Sequence, residues 1–222
     1  MGIFCLFWIP LCFLLWRVLP AENRSGGGRA GIWAPALGCL AVVAQAFLGP
    51  LVPPGGFGVM RWIGGFIDVV SAPVLVPLLV YLLLVEMTVV PEESDHASFA
   101  LMWLVPVAAF NAFRWSSPGS PVMLLAVPVL WSSLAIGMPA LLARARSRGE
   151  IKEAVPEILC LAALPFAAAS SWWALFSHRT VLGLALLAAT AVPAGIAVCR
   201  PLVATVAAII DGLKGAPGKG EA

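Results

Sequence analysis

Long runs of apolar residues dominate the sequence, and short polar segments separate them. A bilayer core of about 30 Å requires about 20 apolar residues in a helix. Backbone groups in hydrocarbon must be hydrogen-bonded within the protein, so only helices or closed barrels can span it. Residues in barrel strands alternate between polar and apolar, and the residues in these runs do not. The pattern therefore predicts an all-α integral membrane protein, a polytopic bundle of about seven transmembrane helices. The predicted spans are Ile3–Leu19, Ile32–Val52, Ile63–Val90, Phe99–Trp115, Val122–Ala143, Val155–Phe176 and Val181–Cys199.

The composition agrees with lipid as the main solvent. Hydrophobic residues make up 61% of the 222 residues and charged residues 11%. Soluble domains have about 45–50% apolar and about 25% charged residues, so a water-soluble fold is excluded. The net charge of +2 is too small to indicate a nucleic-acid partner. The predicted partner is the lipid bilayer.

Residues able to carry cofactor or metal chemistry are sparse. The five cysteines lie inside apolar runs without C-x-x-C spacing, and His96 and His178 fall in different loops. The sequence contains no H-E-x-x-H, no phosphate-binding loop and no dinucleotide-binding glycine motif. We therefore predict no cofactor, no metal site and no catalytic residue.

The chain is predicted to form one membrane domain over residues 1–211, followed by a disordered cytoplasmic tail over 212–222. The first apolar run lacks a preceding basic segment and a small-residue cleavage site, so we expect it to remain as a span. Pro201 disfavours helical backbone at Arg200 and fits the first turn of a new helix. We therefore expect a break after the seventh span and a short helix from about Pro201 to Asp211.

Basic residues indicate the orientation. Cytoplasmic loops carry an excess of Lys and Arg, and seven spans place ten of the thirteen such residues on one side. We therefore predict a multi-pass protein of a bacterial-type inner (plasma) membrane, with the N-terminus outside and the C-terminus in the cytoplasm. The ten are Arg17, Arg24, Arg29, Arg144, Arg146, Arg148, Lys152, Arg200, Lys214 and Lys219, against Arg61, Arg114 and Arg179.

Prolines fall near the middle of six of the seven predicted spans. Each removes one backbone hydrogen bond and frees a carbonyl group, so mid-membrane kinks are expected. Kinked helices can enclose a cavity, although proline is also common in membrane helices generally. These prolines are Pro10, Pro73, Pro77, Pro106, Pro128, Pro165 and Pro193.

The third run carries Asp68 and Glu86, the only two acids that we expect within the membrane. They are separated by eighteen residues, or roughly 27 Å of helix. One interpretation is that each acid marks a membrane interface. The other is that Asp68 faces the bundle and is paired, because an unpaired carboxylate in hydrocarbon is costly. Its predicted partner is Arg114 first and Arg61 second.

Asp68, Ser71, Asn111 and Arg114 form a candidate polar cluster in the outer half of the bundle, which could line a vestibule for a small polar solute. The alternative is that such residues join helices by hydrogen bonds. Further polar residues expected at this level are Gln45, Ser116, Ser117, Ser170 and Ser171. In the fifth loop, Arg144, Arg146 and Arg148 are candidate contacts for anionic lipid headgroups, or simply determinants of topology.

The favoured function is non-enzymatic: transport of a small solute, or service as a membrane subunit of a larger complex that would bring other membrane subunits as partners. The polar cluster and the central prolines favour the solute path. The alternatives are a membrane-embedded enzyme acting on lipid through Asp68 or through Glu92, Glu93 and Asp95, and a purely structural or assembly protein.

Overall fold

The computed structural model describes residues 9, 27–51, 58–87, 96–114 and 121–214. All regular structure in these residues is helical, which confirms the predicted helical class. A 3-10 turn, Gly49–Leu51, extends the first helix. The helices are α1 (Gly27–Leu48), α2 (Val59–Glu86), α3 (His96–Arg114), α4 (Pro121–Ser147), α5 (Ile151–Phe176) and α6 (Thr180–Lys214).

Four of these helices are long and apolar enough to cross a membrane, judged by length and composition. They coincide with the third, fifth, sixth and seventh predicted runs, and two shorter apolar helices coincide with the second and fourth. The first run, apart from Ile9, lies outside the described residues, so the count of seven spans stays a prediction. The four are Val59–Glu86, Ala126–Ser147, Ile151–Phe176 and Thr180–Cys199, and the shorter two are Trp33–Leu48 and Ala100–Arg114.

Helix α4 occupies the centre of the described bundle. It packs against α3, α5, α6 and the middle of α2. In the apolar stretch of α4 that is long enough to cross a membrane, 78% of the residues are buried. In the corresponding stretch of α6, only 17% are buried. Trp103 and Trp131 are both fully buried in the core around α4. Helix α6 therefore lies at the periphery and exposes most of its apolar surface.

Helix α2 changes its hydrogen-bond register in the middle. Residues Phe66–Leu75 form a π-helix, and the Val76 N–H bonds to the Ser71 carbonyl five residues back. Pro73 lies within this segment. Wide turns of this kind are rare and often occur at functional sites. Further prolines lie inside other helices, and the kinks expected at them stay a prediction; they are Pro35, Pro106, Pro128, Pro139, Pro156 and Pro165.

The break expected at Pro201 is absent, and that prediction was wrong. Helix α6 runs without interruption for 35 residues through Arg200, past Gly212, to Lys214. A proline inside a helix removes only one N–H, and membrane helices accommodate this loss when nearby groups satisfy the freed carbonyl. The helix is roughly 52 Å long, which exceeds the hydrocarbon core, so its last turns extend past the end of the predicted span. The predicted tail beyond Lys214 lies outside the described residues.

The connection between α5 and α6 is a tight turn that ends α5 with a left-handed residue. His178 has φ 61°, and the Arg179 N–H donates to the Ala174 carbonyl, five residues back. This is the bonding pattern of a Schellman motif, in which the N–H of the second residue beyond the helix satisfies one of its last carbonyls. The turn holds Arg179 against the end of α5, beside Trp173.

Candidate functional site

The π segment of α2 presents two backbone carbonyl groups to its neighbours. A residue at position 73 would donate to the Val69 carbonyl in an α-helix and to the Asp68 carbonyl in a π-helix. Because Pro73 has no N–H, one of these carbonyls loses its partner in either register. Both accept side-chain bonds instead: Gln45 Nε2 donates to the Asp68 carbonyl at 3.0 Å, and Trp131 Nε1 donates to the Val69 carbonyl at 3.0 Å.

A pair of amide side chains joins α1 to α3 beside this segment. Gln45 Nε2 donates to Asn111 Oδ1 at 3.1 Å, and Asn111 Nδ2 donates back to Gln45 Oε1 at 2.9 Å. The second N–H of Asn111 donates to the Val107 carbonyl at 2.8 Å, one turn earlier on α3. Both side chains are 0% exposed. All four amide N–H groups are thus used within the protein, as burial requires.

The carboxylate of Asp68 forms an ion pair with Arg114 at the last turn of α3. Arg114 Nη1 and Asp68 Oδ1 lie 2.5 Å apart, and the two side chains are 31% and 22% exposed. The predicted pairing is therefore present. Arg61, the second predicted partner, lies over the Phe176 ring instead, 4.6 Å from its centroid.

Gly49 provides the space for this ion pair. A Cβ atom at Gly49 would lie 2.8 Å from Arg114 Nη2 and 3.3 Å from Asp68 Oδ1. These separations are shorter than van der Waals contact, so a side chain here would displace the guanidinium group. The turn that follows α1 therefore packs directly against the pair, and α1, α2 and α3 meet at this point.

Three of the four residues in the predicted cluster come together, and the fourth does not. Asp68, Asn111 and Arg114 share the contacts above, with Gln45 linking Asp68 to Asn111. Ser71 lies about one turn deeper and is half-buried, and among bonds between described residues none joins its hydroxyl group to the cluster. Ser116 and Ser117 lie outside the described residues, as do Glu92, Glu93 and Asp95 of the acidic loop.

We call Gln45, Asp68, Asn111, Arg114 and Trp131 the polar clamp. The sequence predicts Gln45 at the same level of the bundle as the other polar residues. Its partner Asn111 lies 66 residues away, and only the packing of α1 on α3 brings the two together. Trp131 could not be recognised from the sequence, because the Val69 carbonyl that it bonds lies on another helix, 62 residues away.

No protein-family model, curated protein or solved structure matches this chain. The function of the polar clamp therefore has to be argued from its own chemistry. No group of three or more His, Cys, Asp or Glu side chains able to hold a metal ion occurs within the described part of the chain.

The chemistry of the polar clamp favours joining helices over binding a solute. A solute site needs polar groups that are open to a ligand, whereas both amides are inaccessible and spend their N–H donors on each other and on backbone carbonyls. The Asp68 carboxylate is engaged by the Arg114 guanidinium group. The arrangement fixes α1, α2, α3 and α4 relative to one another.

A second ion pair lies at the end of the bundle where α4 connects to α5. Arg148 Nη2 and Glu157 Oε1 are 3.0 Å apart, and the Glu157 side chain is 12% exposed. Glu157 lies two residues after the start of the sixth predicted run, so it is a third acid beside Asp68 and Glu86 in a predicted span. Glu86 is the last residue of α2 and is exposed, as an acid at an interface would be.

The arginines predicted to contact lipid headgroups lie at this same end. Arg144 and Arg146 are in the last turn of α4, and Arg148 is in the turn that follows. Since Arg148 already bonds Glu157, part of its charge is used within the protein. Contact between Arg144, Arg146 and headgroups stays a prediction.

Proposed function

We propose that this chain is a non-enzymatic membrane protein that serves as a helical subunit of a larger membrane assembly. The observation that carries the proposal is the closed state of the polar clamp: Gln45 and Asn111 have no exposed surface, and their N–H donors are all bonded internally. The residues best suited to recognise a solute in the bundle thus hold helices together instead.

The exposed face of α6 supports the same proposal. Only 17% of the residues in its apolar stretch are buried, and large apolar side chains such as Val181, Leu184 and Val192 are exposed. This face would pack against another membrane subunit, while the polar clamp keeps the rest of the bundle rigid. Since helices in membranes associate by close packing of apolar and small side chains, the surface has suitable chemistry.

Photo-crosslinking from α6 tests the subunit role. A photoreactive amino acid would replace Val192, which is 56% exposed on α6, in the full chain in native membranes. We expect one discrete protein adduct, identified by mass spectrometry. The matched control is Phe47 on α1, which is 73% exposed but belongs to a helix that packs mainly on α2 and α3. Adducts with lipid alone at both positions would contradict the proposal.

Transport of a small polar solute is the second candidate. It is favoured by the partial exposure of the Asp68–Arg114 pair, which leaves two charged groups accessible at one end of the bundle. Transport would require that proteoliposomes containing the protein take up the solute, and that this uptake is lost in the Asp68→Asn variant. It would also require the polar clamp to open, which the internal bonding of Gln45 and Asn111 opposes.

The proposed location is a bacterial-type inner membrane, with the α5–α6 connection outside and the C-terminus in the cytoplasm. The support is the ten-to-three distribution of Lys and Arg over seven spans. We expect a reporter fused after Ala222 to be active when it requires the cytoplasm and silent when it requires the periplasm. The reverse pattern would overturn the orientation, and a fusion within the turn at His178 is the internal control, with the opposite expected result.

A further inference from the structure

An apolar groove opens between α2, α5 and α6, at the end of the bundle where α5 connects to α6. Its volume is about 310 Å³, at the lower end of the range of ligand pockets. Trp62, Trp173 and Ser170 line it, and none of its lining residues is acidic. The remaining lining residues are Gly58, Val59, Leu182 and Leu186.

The interior of the groove suits a hydrocarbon chain. The polar atom of Trp62 is already used, because its indole N–H donates to the Ser170 hydroxyl at 3.0 Å. Leu182 and Leu186 are one turn apart on α6 and line the same wall. Val59 is 72% exposed, so the groove is open to the surroundings of the bundle rather than closed as an internal cavity.

Two arginines lie next to residues that line this groove: Arg179 stacks on Trp173, and Arg61 precedes Trp62 in the chain. The guanidinium carbon of Arg179 lies 5.4 Å from the centroid of the Trp173 ring, and that of Arg61 lies 4.6 Å from the centroid of the Phe176 ring. The Arg179 guanidinium group, stacked on an aromatic face, is held in position while its in-plane N–H groups can donate to oxygen atoms. Arg179 is exposed, and it follows the turn that joins α5 to α6.

We propose that this groove binds an anionic glycerophospholipid, with one acyl chain along Trp62, Leu182 and Leu186 and the phosphodiester beside Arg179. The charge beside the groove selects the occupant, because the Arg179 guanidinium group with no acid among the lining residues favours an anionic headgroup over a zwitterionic one. Tryptophan at both walls places the groove at the level where headgroups meet hydrocarbon. This site lies at the opposite end from Arg144, Arg146 and Arg148, and it does not depend on the proposed subunit role.

Native mass spectrometry of the purified full chain tests the site. The probes are dioleoylphosphatidylglycerol and dioleoylphosphatidylcholine, which have the same acyl chains and differ in headgroup charge. We expect one phosphatidylglycerol to be retained in preference to phosphatidylcholine, and Arg179→Gln to weaken its binding about fivefold, as expected for one arginine near an anionic surface. Arg179→Lys should retain most of the preference, since it keeps the charge.

The control for charge is Lys152→Gln, which removes one exposed positive charge at the other end of the bundle. It should leave the retained phosphatidylglycerol unchanged. Leu182→Trp should reduce the retention of phosphatidylglycerol, because the larger side chain fills the groove. An unchanged size-exclusion profile of this variant would establish that its bundle has folded. Inorganic phosphate at the same concentration should not displace the lipid.

Three results would overturn the proposal. Equal retention of the two lipids would mean that the headgroup charge is not recognised. An equal loss in Arg179→Gln and Lys152→Gln would mean that only the overall charge matters. Displacement by inorganic phosphate, with Leu182→Trp unaffected, would mean that the groove takes no acyl chain.

Discussion

Replacing Asn111 with leucine is expected to lower the free energy of unfolding by about 2–4 kcal/mol, because it leaves polar groups of Gln45 buried without partners. The substitution removes the reciprocal amide bonds between α1 and α3, in a place with no access to water. Titration of the purified protein with a denaturing detergent, followed by tryptophan fluorescence, measures the change.

The double variant Gln45→Leu and Asn111→Leu separates the loss of hydrogen bonds from the cost of an orphaned amide. Replacing both partners by apolar groups of similar shape can be nearly neutral, so the double variant should be more stable than Asn111→Leu alone. Recovery should be incomplete, since the Asp68 carbonyl then loses the bond from Gln45. Phe113→Ala, at an 83% exposed position two residues away, is the control and should change little.

The prediction is contradicted if Asn111→Leu is as stable as the original chain. It is also contradicted if the double variant loses more free energy of unfolding than Gln45→Leu and Asn111→Leu lose in sum. Either result would mean that the amide pair does not hold α1 against α3.

Gly38→Ala is expected to destabilise the bundle by about 1–3 kcal/mol, because it overfills the closest approach of α1 and α3. A Cβ atom at Gly38 would lie 2.3 Å from the Trp103 carbonyl oxygen and 2.8 Å from Pro106 Cγ. The oxygen belongs to the backbone and cannot rotate away, so the helices must separate. That separation would also lengthen the Gln45–Asn111 bonds, two turns further along α1. Thermal unfolding in detergent measures the loss.

Gly195→Ala is the matched control, since it makes the same chemical change within a long apolar helix. Gly195 lies on α6, and a Cβ atom there would meet nothing within 4 Å. Alanine favours a helix over glycine by roughly 0.5–1 kcal/mol, so this variant should be equally or slightly more stable. If both variants lose stability by the same amount, the close approach at Gly38 is not the cause.

Together these two contacts explain why one part of the bundle is fixed and another is open. The polar clamp and the Gly38 contact join α1, α2 and α3 on one side of α4, while α6 packs on α4 and α5 and leaves its outer face uncovered. The surfaces available to a partner subunit or to lipid therefore lie on α6 and on the groove that it forms with α2 and α5.

The hydrophobic pattern by itself determined the class of fold and the positions of the helices. Backbone groups have no partner in hydrocarbon, so long apolar runs can only be helical, and the runs from Ile32 to Cys199 coincide with the six described helices. The Asp68–Arg114 pair could also be predicted, because charge depth follows from helix position and a carboxylate at that depth needs a cation nearby.

Tertiary structure alone decided which polar groups meet. The bonds between Gln45 and Asn111 and from Trp131 to the Val69 carbonyl depend on how four helices pack, and they span 66 and 62 residues of sequence. Local rules also failed at Pro201, where the proline predicts a break but α6 continues to Lys214. The physical reason for the buried bonds is that a buried amide or indole N–H is satisfied by whatever neighbour packing supplies, and sequence distance carries no information about that neighbour.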